Sequence, residues 1–363
     1  MKNIVIYGGG FDPIHNGHMN MALNASKALN AEVFFVPARV AIWKEKSLVS
    51  NEDRVNMVNL AIKESNNPRF HICLHEIESE QDINYTIDTV KYFQKEYPDS
   101  HLFLLIGTDQ VNKFDRWKDC QEIAKRAQIV MFNRPGFTLN QDNIKRFNIV
   151  ILSGDLIDVA SSDVRECKNL NIPYSVIKYI IQNDLYFFAK VRQYIKYKRY
   201  LHSVSVAKLA YEIAVSNNIE NPWRYFLAGY LHDIGKDMPI EAQEEIIKEF
   251  YPQYIDFPKP IIHQFVGAYL AKRDFDIEDE EILEAIMYHR TGYPEMRLMA
   301  KVIYASDKIE PTRGFDSSEL IENMKVNAED GFLKVLSANK EYFIKKGIAY
   351  DNSLTKATMD KFL

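Results

Sequence analysis

Gly8-Gly9-Gly10-Phe11-Asp12-Pro13-Ile14-His15-Asn16-Gly17-His18 follows directly on Ile4 to Tyr7, a β-branched and aromatic run that reads as a strand, and leads into a segment with helical spacing at Met21, Ala25, Ala28 and Leu29. In α/β sheets, ligands bind at that junction. Glycines let backbone N–H groups approach a polyphosphate, and the following helix presents unpaired N–H groups and a positive dipole end. His15 and His18, three residues apart, should project to one side and donate to phosphate oxygens as charge builds in a transition state. No residue of the stretch is a nucleophile, so the chemistry it suggests is in-line transfer at phosphorus. The spacing fits neither GxGxxG nor GxxxxGK[ST], which argues against a dinucleotide fingerprint and a P-loop.

Outward from this stretch, further strand-like runs recur at Glu32 to Val36, Phe70 to Leu74, Leu102 to Ile106, Gln128 to Phe132 and Phe147 to Leu152. Helical stretches separate them, including Glu52 to Glu64, Thr86 to Tyr97 and Lys118 to Lys125. Such alternation predicts a parallel sheet covered on both faces. After Leu152 the pattern changes, and from Ser175 nearly every segment is helical, with breaks at Asn183-Asp184, Asn217-Asn218, Pro252, Pro258-Pro260 and Tyr293-Pro294. The expectation is an α/β domain over residues 1–188 and an all-helical domain over 189–363. Lys190, Arg192, Lys196, Lys198 and Arg199 crowd the join and read as a solvated helix face.

The 363-residue length suits two domains, and 47% hydrophobic and 26% charged residues are ordinary globular values. A net charge of -5 gives no sign of nucleic-acid binding. No apolar run reaches the roughly 20 residues that span a bilayer, and the start does not read as a signal peptide, so a soluble cytoplasmic protein without membrane partners is expected. Cys73, Cys120 and Cys167 form no framework and read as small hydrophobes. Oligomeric state is not legible.

Four of the nine histidines, His202, His232, His263 and His289, fall in the helical half, with Asp233 beside His232 and Asp307 further on. Imidazoles and carboxylates are ligands for iron, manganese or zinc, and facing helices can bring distant ligands together. Two metals bridged by Asp233 would activate a water and stabilise both attacking and leaving oxygens at phosphorus. The acidic run Asp276 to Glu281 reads instead as a solvated helix start, because consecutive carboxylates point around a helix in different directions.

The first stretch resembles the GGTFDPxHxGH signature of the HxGH nucleotidyltransferases, with Gly10 where threonine is usual. Tyr85-Thr86-Ile87-Asp88-Thr89, Gly107-Thr108-Asp109, Trp117-Lys118, Arg134-Pro135-Gly136 and Val159 to Arg165 are similar to the blocks of the bacterial nicotinate-mononucleotide adenylyltransferases. That resemblance implies a Rossmann-like fold and AMP transfer from ATP, with Mg2+, to nicotinate mononucleotide. It implies that Gly8, Gly9, Gly10 and Phe11 cradle substrate, and that His15, His18, Lys44 and Arg165 serve the transfer. Asp109 would hold the adenosine ribose, Tyr85 and Thr86 would line the pyridine-nucleotide pocket, and Trp117 would stack on the nicotinate. Arg134 would meet the mononucleotide phosphate, while Ser161, Ser162 and Arg165 would grip the ATP tail. Two blocks depart from the family: VPxxxPPHK stands as Val36-Pro37-Ala38-Arg39-Val40-Ala41-Ile42-Trp43-Lys44, and ISSTxIR as Val159-Ala160-Ser161-Ser162-Asp163-Val164-Arg165.

The series His202, His232-Asp233, His263, His289, Asp307 resembles the HD-domain phosphohydrolases with a two-metal centre. Leu231 to Pro239, His263 to Ala268, Tyr288 to Gly292 and Ala305 to Pro311 are similar to the symmetrical diadenosine-tetraphosphate hydrolases. The resemblance implies two transition-metal ions, iron foremost. His202, His232, Asp233 and Asp307 would hold one, and His263, His289 and the shared Asp233 the other. Lys236, Arg290 and Arg313 are candidate polyphosphate contacts, and two ADP are the expected products. Open alternatives are nicotinamide mononucleotide as the preferred first-domain substrate, another nucleotide in the second, or a nucleotide-sensing module there.

Overall fold

Four consecutive buried residues, Ile4, Val5, Ile6 and Tyr7, lie at the centre of β1 (Lys2–Gly9), the pattern of a strand covered on both faces. The computed structural model describes residues 2–39, 48–80, 83–133, 138–347 and 352–363; Lys44 and Arg134 lie outside them. β1 is joined by β2 (Ala31–Pro37), β3 (Phe70–Ile72), β4 (Ser100–Leu105), β5 (Gln128–Phe132) and β6 (Val150–Leu152) in one sheet of order β3-β2-β1-β4-β5-β6. Every pairing is parallel. Ile4 and Ile6 pack with Ile87, Val90, Phe93 and Ile123 on one face, while Val5, Val33 and Phe35 are buried on the other.

The sheet order reverses between β1 and β4, so the loops leaving these two strands diverge and open a crevice at their carboxyl ends. The loop after β1 carries Gly10 to His15, and after β4 Gly107 caps the short helix Thr108–Val111, whose first turn holds Asp109.

Three segments are shorter than their sequence pattern predicts. Phe147 caps the helix Gln141–Arg146 and Asn148 turns left-handed (φ 48°), so the last strand starts only at Val150. β3 stops at Ile72, and the helix expected from Lys118 begins at Cys120, after a left-handed Asp119.

The chain forms two compact units, Met1–Tyr186 and Phe187–Leu363. The second is helical, and among the described residues no strand follows Leu152. Its helices include Tyr197–Ser216, Trp223–Leu231, Lys259–Phe275, Glu280–Tyr288 and Leu298–Ile309. Within the acidic run, Asp279 caps Glu280–Tyr288 by accepting from the Glu281 and Ile282 amides, while Arg224 bonds both Asp279 and Glu281. The basic cluster is not uniformly solvated: Arg199 donates to Asp233 (2.9 Å) and Asp237 (3.1 Å), and Lys190 to the Asp274 carbonyl. Among the described residues no helix is long and apolar enough to cross a membrane.

Candidate nucleotide cleft and candidate metal centre

A cleft of ≈ 870 Å³ opens over the carboxyl ends of β1 and β4. Its lining brings together Gly8, Gly9, Gly10, Phe11, His15, His18, Tyr85, Thr86, Asp109, Trp117, Ser161, Ser162 and Arg165. His15 is the N-cap of the helix Asn16–Leu29, and the two histidines cap each other: the His18 amide donates to His15 Nδ1 and the His15 amide to His18 Nδ1, both 3.3 Å. Their rings stack at 3.6 Å between centroids. Because each Nδ1 accepts, the neutral rings carry their proton on Nε2, the donor chemistry a developing phosphate charge needs. Gly17 cannot be replaced cheaply, since a Cβ there would lie 3.0 Å from both His15 Nδ1 and the Ile157 carbonyl.

Gly10, by contrast, faces open space: a Cβ would meet nothing within 4 Å, and the backbone is not left-handed. A Gly10→Thr protein should therefore keep its thermal midpoint within about 4 °C, an effect below about 1 kcal/mol, measurable by thermal melting.

Elsewhere in the cleft, Asp109 is exposed and accepts from Gln110 Nε2 at 2.8 Å. Lys118 sits 4.0 Å over the Tyr85 ring. Trp117 Nε1 and Asn84 Oδ1 are buried without hydrogen-bond partners, and both residues line the cleft. Orphaned polar atoms of this kind mark a place for a polar ligand. The sequence offered no motif for Asn84. Two expected phosphate ligands are partly committed to the loop itself: Ser161 Oγ donates to the Pro13 carbonyl (3.0 Å) and Arg165 to the Asp12 carbonyl (2.7 Å).

In the second unit, five helices deliver the six expected metal ligands to one place. His202 lies one turn into Tyr197–Ser216, and His232 with Asp233 follows Trp223–Leu231. His263 lies on Lys259–Phe275, His289 ends Glu280–Tyr288, and Asp307 lies on Leu298–Ile309. Asp233 Oδ1 is 3.2 Å from His263 Nε2 and 3.5 Å from His289 Nε2. Its Oδ2 faces His232 Nε2 at 3.9 Å. Asp307 Oδ1 is 3.1 Å from His202 Nε2 and 3.6 Å from His232 Nε2. Two groups result, His202–His232–Asp233 and Asp233–His263–His289, each with ligand atoms within 4.8 Å of one another.

The donor set fits divalent metal ions. His232 Nε2 is fully buried with no hydrogen-bond partner, which is costly unless something binds it. Backbone carbonyls of Gly229 and Ile286 take the Nδ1 protons of His232 (2.6 Å) and His289 (2.8 Å), aiming each Nε2 inward. Burial favours a neutral His289 and pushes it down to about 3. Burial works against the Asp233 charge, yet His232, His263 and His289 hold its carboxyl well below the usual range.

Sequence reasoning missed two neighbours that local spacing could have found. Glu310, one turn after Asp307 and 1% exposed, takes His202 Nδ1 at 2.9 Å. Arg199, one turn before His202, holds Asp233. Glu310→Ala should weaken metal binding about 10- to 100-fold in a chelator-competition titration, with Glu310→Gln, which keeps an acceptor, losing less. Equal affinity in the alanine protein would remove Glu310 from this role. Among the candidate polyphosphate contacts, Lys236 Nζ lies 2.9 Å from His263 Nε2 and Arg313 bonds the Asp307 carbonyl (2.7 Å) and carboxylate. The Arg290 amide donates to Gln264 Oε1 at 3.2 Å.

The backbone also constrains the centre. A Cβ at Gly235 would lie 2.8 Å from the His263 carbonyl and 2.9 Å from the Gly267 nitrogen, so the His232–Gly235 turn and the His263 helix meet at glycine. Gly235→Ala should cost about 1–3 kcal/mol, read from denaturant unfolding of the second unit's transition.

Comparison with known proteins places these sites in two classes. The Cytidylyltransferase-like family model matches residues 6–167 and the HD domain model residues 199–312. A Mycoplasma genitalium protein named "Probable nicotinate-nucleotide adenylyltransferase/Ap4A hydrolase" is 31% identical over 349 residues, 92% of this chain and 97% of its own. A Mycoplasma pneumoniae protein of the same name is 28% identical, covering 88% and 94%. A solved Clostridium acetobutylicum structure, described as a predicted HD superfamily hydrolase involved in NAD metabolism, is 30% identical with a TM-score of 0.43, covering 48% of this chain and 96% of that one. The chain thus joins a nucleotidyltransferase-type domain to an HD domain. It belongs to the two-domain family of the nicotinate-nucleotide adenylyltransferase/Ap4A hydrolases.

Proposed function

We propose that the first unit transfers AMP from Mg2+-bound ATP to nicotinate mononucleotide, giving deamido-NAD and pyrophosphate, and that the second hydrolyses diadenosine tetraphosphate to two ADP. The observation that carries the first half is the paired histidines beside the glycine-rich end of β1, inside a cleft lined by thirteen of the expected substrate-side residues. A phosphate oxygen of the mononucleotide attacks the α-phosphorus of ATP, the bond to the bridging oxygen of the β-phosphate breaks, and pyrophosphate leaves. His15 and His18 donate through Nε2 to the reacting phosphates, neutralising charge that grows in the transition state. The glycine loop supplies backbone approach, and Ser162 and Arg165 position the polyphosphate. Of the two orphaned polar atoms lining the cleft, Trp117 Nε1 can donate to a carboxylate and Asn84 Oδ1 can accept from a hydroxyl or amide of a bound nucleotide. By the resemblance, Lys44 and Arg134, outside the described residues, would add phosphate contacts.

For the second half, the carrying observation is Asp233, whose two oxygens face two separate histidine groups. His202, His232, Asp233 and Asp307 would hold one metal and Asp233, His263 and His289 the other, with iron the proposed ion. When bound, such a pair polarises the cleaved phosphate and the attacking water. Around it, the protein's own part is to hold imidazole orientation through Gly229, Ile286 and Glu310 and to place Lys236, Arg290 and Arg313 against polyphosphate charge.

The decisive assay is product analysis on the full chain. ATP with nicotinate mononucleotide should give deamido-NAD and pyrophosphate, with the amide mononucleotide turned over more slowly. Diadenosine tetraphosphate in ¹⁸O-water should give ADP only, one of the two molecules carrying the label. ATP plus AMP as products would reject central cleavage, and no turnover of a metal-loaded protein would reject the hydrolase.

A further inference from the structure

The last residue of the first unit, Tyr186, lies beyond the stretch matched by the Cytidylyltransferase-like model. Its hydroxyl nevertheless donates to Asp12 Oδ1 at 2.6 Å, a partner 174 positions away in the phosphate-binding loop. Asp12 is a junction. Its Oδ2 accepts the Leu48 amide at 3.1 Å, its backbone carbonyl accepts Arg165 at 2.7 Å, and both Asp12 and Leu48 line the cleft. Buried Arg54 ties in the next segment, donating to the Gly10 carbonyl at 2.6 Å and the Ala38 carbonyl at 2.5 Å. Tyr186 also has φ 55°, a left-handed conformation that bulky side chains adopt only when their surroundings impose it.

We infer that Tyr186 is a positioning residue for adenylyl transfer: by holding the Asp12 carboxylate it keeps the Gly10–His15 loop, the chain entering at Leu48 and Arg165 in the register that in-line attack requires. The inference rests on the proposed transferase reading and extends it to a residue outside the segment matched by the Cytidylyltransferase-like model. Burial, and after it the hydrogen bond to Asp12, push the Tyr186 hydroxyl far above the usual phenol range, so it remains a donor throughout the working pH range. A small misplacement of a phosphate loop acts on the transition state more than on substrate binding, because only the transition state needs all donors in line.

The test uses the full chain and the variants Tyr186→Phe, Asp12→Ala and the double variant, with deamido-NAD formation as readout. Tyr186→Phe removes only the hydroxyl and should lower kcat about tenfold with KM for ATP changed less than about twofold. Asp12→Ala should lose at least as much, and the double variant no more than Asp12→Ala, since both remove one interaction. Unchanged kcat in Tyr186→Phe, or a double variant whose losses multiply, would overturn the inference. So would a parallel collapse of diadenosine tetraphosphate hydrolysis and thermal midpoint, which would make Tyr186 a general support of the fold. An unmodified chain that makes no deamido-NAD would instead reject the transferase reading itself.

Discussion

Asp233→Ala should lower diadenosine tetraphosphate hydrolysis by about a thousandfold or more, roughly 4 kcal/mol of transition-state stabilisation, and bring the metal content from near two per chain to below one. The size follows from geometry. Asp233 Oδ1 faces His263 and His289 within 3.5 Å and Oδ2 faces His232, so one truncation removes a donor from both groups. It also strips the guanidinium of Arg199 of a partner at 2.9 Å, leaving a cation beside the place the metals would occupy. Asp233→Asn separates charge from shape, because an amide retains one oxygen and cannot serve both groups alike. Elemental analysis beside ADP release decides the matter: an alanine protein that keeps both metals and hydrolysis would refute the bridge. Deamido-NAD formation by the same protein should be unaffected and serves as the control on folding.

His18→Ala should reduce adenylyl transfer about a hundredfold or more, the scale for losing one transition-state donor. The fold should survive, because the cap that helix Asn16–Leu29 needs, the His18 amide donating to His15 Nδ1, uses backbone at position 18 and persists in alanine. What disappears is the reciprocal bond from the His15 amide to the His18 ring, and with it the stacked partner that orients His15. A stability loss of about 1 kcal/mol is therefore expected beside the large rate effect. Turnover at the wild-type rate would remove His18 from the transfer step. Hydrolysis of diadenosine tetraphosphate by this variant should match the unmodified protein, since its residues lie in the other unit.

Much of both sites is written in local sequence. Six apolar runs alternating with helical stretches specify a parallel sheet, because a strand covered on both faces must be apolar at consecutive positions, as Ile4 to Tyr7 are. The glycine-rich stretch after the first strand declares a ligand loop, since residues without side chains there serve close backbone approach. The order His202, His232-Asp233, His263, His289, Asp307 carries the candidate metal centre because ligand chemistry resides in residue types. Glu310 and Arg199 were within reach of the same reasoning, each one helical turn from a ligand.

Other features exist only once the chain has packed. No local pattern pairs Tyr186 with Asp12 across 174 positions, or leaves Asn84 and Trp117 with orphaned polar atoms in one cleft. Which oxygen of Asp233 meets which histidines follows from how the helices pack, although the inward turn of each imidazole is set locally by the carbonyl three residues before it, Gly229 for His232 and Ile286 for His289. Likewise Arg199, solvated by its sequence context, becomes an ion-pair partner because its helix meets the turn that carries Asp233 and Asp237. Periodicity and residue type act over a few positions and are legible one segment at a time, whereas hydrogen-bond partners and side-chain directions are chosen by contacts between segments far apart in sequence, which only the folded chain brings together.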